Sequence, residues 1–152
     1  MSTMKKAFVL ILPLLFIFTS CTTTVDGYSY SIQDARNREP HYYATYDNLF
    51  TAETDGGVVD FLFSGDDLHI IKFAYKTRNG DSLYRIVSKS TFSISESVEA
   101  SQIRAEDNWV GTGKIPFRVE WLIAAKNPDK VQQGIDFVYD GVEYVLLYRI
   151  PK

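Results

Sequence analysis

The pair Asn79-Gly80 constrains this chain more than any other two residues. Both central positions of the tightest hairpin turn require positive φ, and Asn-Gly is the pair that tolerates it best. A two-residue loop here sets Arg78 opposite Asp81, Tyr75 opposite Tyr84 and Phe73 opposite Ile86. The apolar side chains then fall on matching faces, as a half-buried antiparallel pair requires. Carried further along the strands, that register sets His69 opposite Ser90. Asp140-Gly141 repeats the device near the C-terminus, pairing Tyr139 with Val142, Phe137 with Tyr144 and Ile135 with Leu146.

Other strands follow from alternation and punctuation. Val58 to Phe63 reads as a strand, Ser64 to Asp67 as a turn, and Leu68 to Thr77 as the outgoing arm of the first hairpin. Phe117, Val119, Trp121 and Ile123 alternate with Arg118 and Glu120, the signature of a half-buried strand. Asn127-Pro128-Asp129 supplies the turn after it, and Asp55-Gly56-Gly57 breaks the chain before Val58. Tyr28 to Ile32 reads as a first strand and Gln33 to Glu39 as loop. Two stretches are left open between helix and another state. His41 to Phe50 has helical spacing after Pro40, yet Tyr42-Tyr43 also suits a strand. Ser93 to Asn108 has a capping box in Ser93 and Glu96, but only the thin apolar stripe of Val98 and Ile103, so a short helix or a loop fits. Val59 to Gly65 echoes Ile135 to Gly141, and Leu83 to Ile86 echoes Leu147 to Ile150. The matches are short enough to be two hairpins meeting one packing problem. The expected fold is mainly β, an antiparallel sandwich or partly closed barrel of hairpins with about six to eight strands and room for one short helix.

Few residues suggest chemistry. His41 sits in an expected loop, and His69 at a strand start reads as a hydrogen-bonded strand residue sooner than as a base or ligand. No two histidines have metal-binding spacing, and no serine lies in a nucleophile elbow. Gly111-Thr112-Gly113-Lys114 lacks the spacing of a phosphate loop and the Ser or Thr that should follow. Asp66 with Asp67, or Asp136 with Asp140, offers oxygens to calcium, but in no recognised loop pattern. Nothing calls for a cofactor or a metal, and an enzyme is the least favoured class.

The last strand is apolar on both faces. Val142, Tyr144, Leu146, Tyr148 and Ile150 share one side, while Val145 and Leu147 share the other with Val138. Leu122 and Ala124 soften the outer side of the preceding strand. A strand apolar on both sides must be covered twice. The covering is expected from the middle of a sandwich or from the 41–50 segment. The alternative is an exposed patch or lined cavity for a partner or an apolar ligand. The candidate binding surface is therefore Tyr144, Tyr148, Val145, Leu147 and Trp109. Tyrosine supports this modestly, since it suits binding surfaces and strands alike.

The N-terminus gives an address. Lys5 and Lys6 precede an uncharged apolar run of twelve residues, Ala7 to Phe18, interrupted only by Pro13. A membrane-crossing helix needs about 20 apolar residues, so this is a signal-peptide core. A plain cleavage after Ser20 would put bulky Phe18 at a position that wants a small residue. Phe18-Thr19-Ser20-Cys21 resembles the lipobox of bacterial lipoproteins, with Phe18 standing where Leu is usual. That resemblance covers the signal alone and implies that Cys21 carries diacylglycerol and further acylation. A plain secreted protein and an uncleaved anchor are the alternatives. The chain then divides into a signal at 1–20, a lipidated cysteine and polar tether at 21–27, and one β-rich domain at 28–152. The six-residue tether, Thr22 to Gly27, spans about 20 Å when extended, which keeps the domain near the membrane. Two or more acyl chains, at about 0.8 kcal/mol per buried methylene, hold it there stably.

Two of the 16 basic residues leave with the signal, so 14 face 19 acids in the mature chain, a net charge near −5. This balance argues against a nucleic-acid partner. Cys21 is the sole cysteine, so no disulfide forms within the domain and its core alone must hold it. The expected protein is a bacterial envelope lipoprotein facing the periplasm or the exterior, acting as an interaction module for an envelope or host protein. A carrier of an apolar ligand is the alternative. Mass spectrometry of the protein from its own membrane should show residues 1–20 removed and an acylated Cys21, with Cys21→Ser left unprocessed. A free Cys21 thiol on a mature chain would contradict this.

Overall fold

The structure is a computed structural model and describes residues 24–25, 27–54, 57–100, 104–106, 118–129 and 134–150. Cys21 with the signal, Ile103, Trp109, the 111–114 loop and Phe117 lie outside the described residues. The chain runs β1 (Thr24–Val25), β2 (Tyr28–Ser29), α1 (Ile32–Asn37), α2 (Pro40–Tyr43), β3 (Asn48–Thr54), β4 (Gly57–Ser64), β5 (Asp67–Arg78) and β6 (Asp81–Ser93). It continues with α3 (Ile94–Ala100), β7 (Arg104–Glu106), β8 (Val119–Ala125), β9 (Ile135–Tyr139) and β10 (Val142–Arg149). Six strands form one antiparallel sheet in the order β1-β2-β6-β5-β4-β3, and four form a second in the order β7-β8-β10-β9. The described strands thus make a sandwich-like pair of sheets and no closed barrel. They number ten, with three short helices, more of each than expected.

Both hairpin turns have the backbone their sequences demand. Asn79 and Gly80 have φ of 54° and 87°, and Asp140 and Gly141 have 49° and 76°. Of the seven cross-strand pairs named above, the six nearest the two turns occur. The first hairpin departs from its ideal register further in. A bulge between Lys72 and Phe73 leaves Val87 as the extra residue, so Lys72 faces Ser88 and His69 faces Thr91 rather than Ser90. The departure has a packing reason. A regular β6 would put Phe92 on the same side as Tyr84 and Ile86, whereas one extra residue flips it to the opposite face. There its ring meets Trp121 at 4.8 Å, between the sheets.

The strand most fully covered on both faces is β4, not β10. Every residue from Gly57 to Phe63 is buried. Val59, Phe61 and Phe63 point at the second sheet and share a core with Trp121, Ile123, Phe137 and Leu146. Val58 and Leu62 point the other way, into a second cluster with Ile71, Phe73 and Ala35 of α1. The helical part of the 41–50 segment covers this sheet, with Tyr42 and Tyr43 packed on that second cluster. That segment divides into α2, which Pro40 opens at its first turn, and β3.

Residues 33–39, expected as loop, lie largely in α1. Ser31 caps it by accepting a 3.0 Å hydrogen bond from the Asp34 amide. Ile32 and Ala35 are its only inward apolar residues, too few to register as periodicity. The helical alternative for the stretch after Ser93 is the observed one, as α3. The Glu96 amide donates to Ser93 Oγ at 3.3 Å, half of the capping box. Asp66 ties that helix to the β4–β5 turn, accepting from Ser93 Oγ at 2.9 Å and the Ser95 amide at 3.1 Å.

One charged residue stands among the apolar ones beneath α1 and α2. Asp60 is fully buried on the helix-covered face of β4. A carboxylate taken out of water must be paired and hydrogen-bonded. Arg36 of α1 donates through Nε and a terminal nitrogen to its two oxygens, both at 2.8 Å. Thr51 of β3 and Tyr43 of α2 donate through their hydroxyls at 2.7 Å each. The site draws both helices and two strands onto one anion. Burial raises the pKa of Tyr43 well above its ordinary value, and the adjacent Asp60 charge raises it further. The phenol therefore stays a donor in the folded state. Its contribution is complete below the ordinary phenol range near pH 10 and is lost as pH rises above it.

Asp60→Ala should cost about 3–5 kcal/mol in denaturant unfolding, because Arg36 is left largely buried without its partner. Tyr43→Phe should cost less and should flatten the loss of stability above pH ~10. Unchanged alkaline behaviour in Tyr43→Phe would contradict the assignment of that loss to the phenol.

Candidate functional site

The second sheet is where the candidate surface falls. Strand β10 lies between β8 and β9, with Leu147 opposite Leu122, Val145 opposite Ala124 and Arg149 opposite Glu120 on β8. Alternation divides its side chains between an inner face against β4 and an outer face. Tyr144 and Tyr148 are on the inner face. Tyr144 stacks on Phe137 with centroids 5.8 Å apart, and Tyr148 lies 5.0 Å from Phe61. Both are half-buried and belong to the inter-sheet core, not to an open aromatic patch. Trp109, the third aromatic of the expected surface, lies outside the described residues.

On the outer face the two aliphatic candidates part company. Val145 is fully buried, which removes it from any docking surface. Gly134 closes over it: a Cβ at that position would lie 2.7 Å from Val145 Cγ2 and 2.5 Å from the Leu146 carbonyl oxygen. Only a residue with no side chain permits so close an approach. Leu147 is half-buried and forms, with Leu122, the floor of a groove of about 250 Å³. Glu120, Trp121, Tyr148 and Arg149 complete its lining. Arg149 donates to Glu120 Oε2 through two nitrogens, one at 2.8 Å, so a two-pronged ion pair borders the leucines. Arg118 adds a third charge 3.3 Å from Glu120. An apolar floor with a charged rim is the anatomy of a contact surface.

Glu120 and Arg149 escaped the sequence reading. The signal that finds them is the β8–β10 register, and no turn residue announces it, because β9 intervenes between the two strands. Val138 on β9 is the most exposed large apolar side chain among the described residues, at 67%.

The groups considered for chemistry are engaged elsewhere. His69 Nδ1 lies 2.9 Å from Thr91 Oγ1, and its ring meets the Tyr42 ring edge-on at 5.1 Å. Burial lowers its pKa, with the nearby His41 adding to the fall and Asp67 opposing it. Burial thus disfavours the charged imidazole, as suits a packed side chain. Asp66 is held below the ordinary carboxylate range by donors that begin with the Tyr139 hydroxyl and continue through Ser95 and Ser93. Asp136 pairs with Lys126 at 2.9 Å. Among the described residues, no three His, Cys, Asp or Glu side chains are grouped to hold a metal ion.

Searches of protein families, of curated proteins and of solved structures find no match to this chain.

Proposed function

We propose that this chain is a lipid-anchored envelope protein whose domain binds a partner protein through the outer face of β8 and β10. The observation that carries the reading is the groove floored by Leu122 and Leu147 and bordered by the Glu120–Arg149 pair. A two-layer sandwich ordinarily presents polar side chains on its outer faces. Two facing leucines there keep apolar area half in water, and a partner that covers them gains that area back. The charged rim would fix orientation and reject partners of the wrong charge pattern. Cys21, acylated, would hold the domain within a short tether's reach of the membrane.

Binding is favoured over catalysis because His69, Asp60 and Asp66 are all spent on packing and pairing. A surface is favoured over an interior ligand site because Phe61, Phe63, Trp121, Phe137 and Leu146 fill the space between the sheets.

The test is Leu122→Glu with Leu147→Glu in the full-length protein, followed in its own envelope by cross-linking and native mass spectrometry. The double variant should weaken a protein-sized adduct by more than about tenfold while its folded spectrum is retained. An adduct that survives the change, or a bound mass of lipid size, would overturn the reading.

A further inference from the structure

A second pocket lies on the other sheet, where the tether enters the domain. It has a volume of about 140 Å³ beneath the C-terminal end of α1, and Gly27, Ser29, Arg38, Glu39, Tyr84 and Arg85 line it. Three of these groups are unusual together. Ser29 is fully buried, and its hydroxyl has no hydrogen-bond partner. A buried hydroxyl left so is costly, and native structures rarely carry that cost without a reason. Arg38 makes no side-chain hydrogen bond or ion pair among the described residues. Neither does Arg85, whose guanidinium is steadied over the Tyr28 ring at 4.9 Å. The one acid on the wall, Glu39, is held by Lys89 at 2.9 Å. The pocket therefore has an excess of two positive charges and one unused hydroxyl, in a chain whose net charge is −3.

We propose that this pocket binds a phosphate group, with Ser29 Oγ donating a hydrogen bond and Arg38 and Arg85 supplying charge. Guanidinium groups match phosphate oxygens in pairs, and charge-assisted bonds of this kind are among the stronger ones. The volume suits a small anion: it equals about four to five waters at ~30 Å³ each. Two sources share this chemistry, free inorganic phosphate and the glycerophosphate headgroup of a membrane lipid. The second is within reach because Gly27, in the turn between β1 and β2 and only six residues from Cys21, forms part of the wall.

The experiment follows the unfolding temperature of the full chain in an uncharged detergent. Sodium phosphate and glycerol 3-phosphate are titrated at constant ionic strength, against chloride. Either phosphate species should raise the midpoint saturably, and chloride should not. Binding of inorganic phosphate identifies the free ion, and binding of the glycerol ester alone identifies the headgroup. Arg38→Gln, at an exposed position, should weaken the apparent affinity by about tenfold or more. Ser29→Ala should be at least as stable as the native chain without phosphate, since it removes the orphan hydroxyl, and should lose the gain. No saturable gain up to roughly 50 mM of either species, which is weaker than any useful affinity, would overturn the proposal and leave a site for ordered water only. An equal gain in Arg38→Gln would overturn it too.

Discussion

A sheet that is apolar on both faces needs two covers, and β4 imposes that requirement here. Each large side chain taken fully out of water contributes about 1.5–3 kcal/mol, so seven consecutive buried positions on one strand dominate the energetics of the domain. The second sheet covers one face. The other falls to α1 and α2, helices of six and four residues that no isolated peptide would hold. They exist because the surface beneath them is apolar and because Asp60 sits in its middle. A hydrophobic face alone would accept a helix in many positions. A buried carboxylate that must meet Arg36, Tyr43 and Thr51 accepts one. The ion pair is best understood as specifying where the helices rest, since a buried pair adds little net stability over an apolar replacement.

The two sheets are covered unequally. The first has the second sheet on one side and helices on the other. On the second, Gly134 closes over Val145, yet Leu122 and Leu147 stay half in water beside the Glu120–Arg149 pair. That inequality is what separates a packed surface from an available one. It also corrects the position of the candidate residues. Tyr144 and Tyr148 are turned inward to complete the core, and the outer leucines carry the exposed apolar area.

What could be read from the residues was local. The Asn79-Gly80 and Asp140-Gly141 turns declared themselves, and their registers followed from pairing arithmetic. What could not be read was decided by distant packing. The bulge at Val87 serves to bring Phe92 to Trp121, a partner 29 residues later in the chain. Helix α1 has two inward apolar residues and takes its stability from Leu62, Ile71 and Asp60, so its own sequence looks like loop. The candidate surface was half legible. Alternation along β10 found Leu147, but it assigned Val145 equal exposure because nothing in the sequence shows Gly134 lying against it. The pocket beside Ser29 had no signal in the sequence, since Ser29, Arg38 and Arg85 meet only when α1 folds over β2 and β6.

Both layers depend on β4, the strand most fully covered on its two faces. Native-state amide hydrogen exchange of the full chain tests this dependence most directly. The amides of Val58 to Phe63 should be among the last to exchange, opening only with global unfolding, while those of the edge strand β9 open earlier. Exchange of the β4 amides at the rate of β9, or well before global unfolding, would contradict the account.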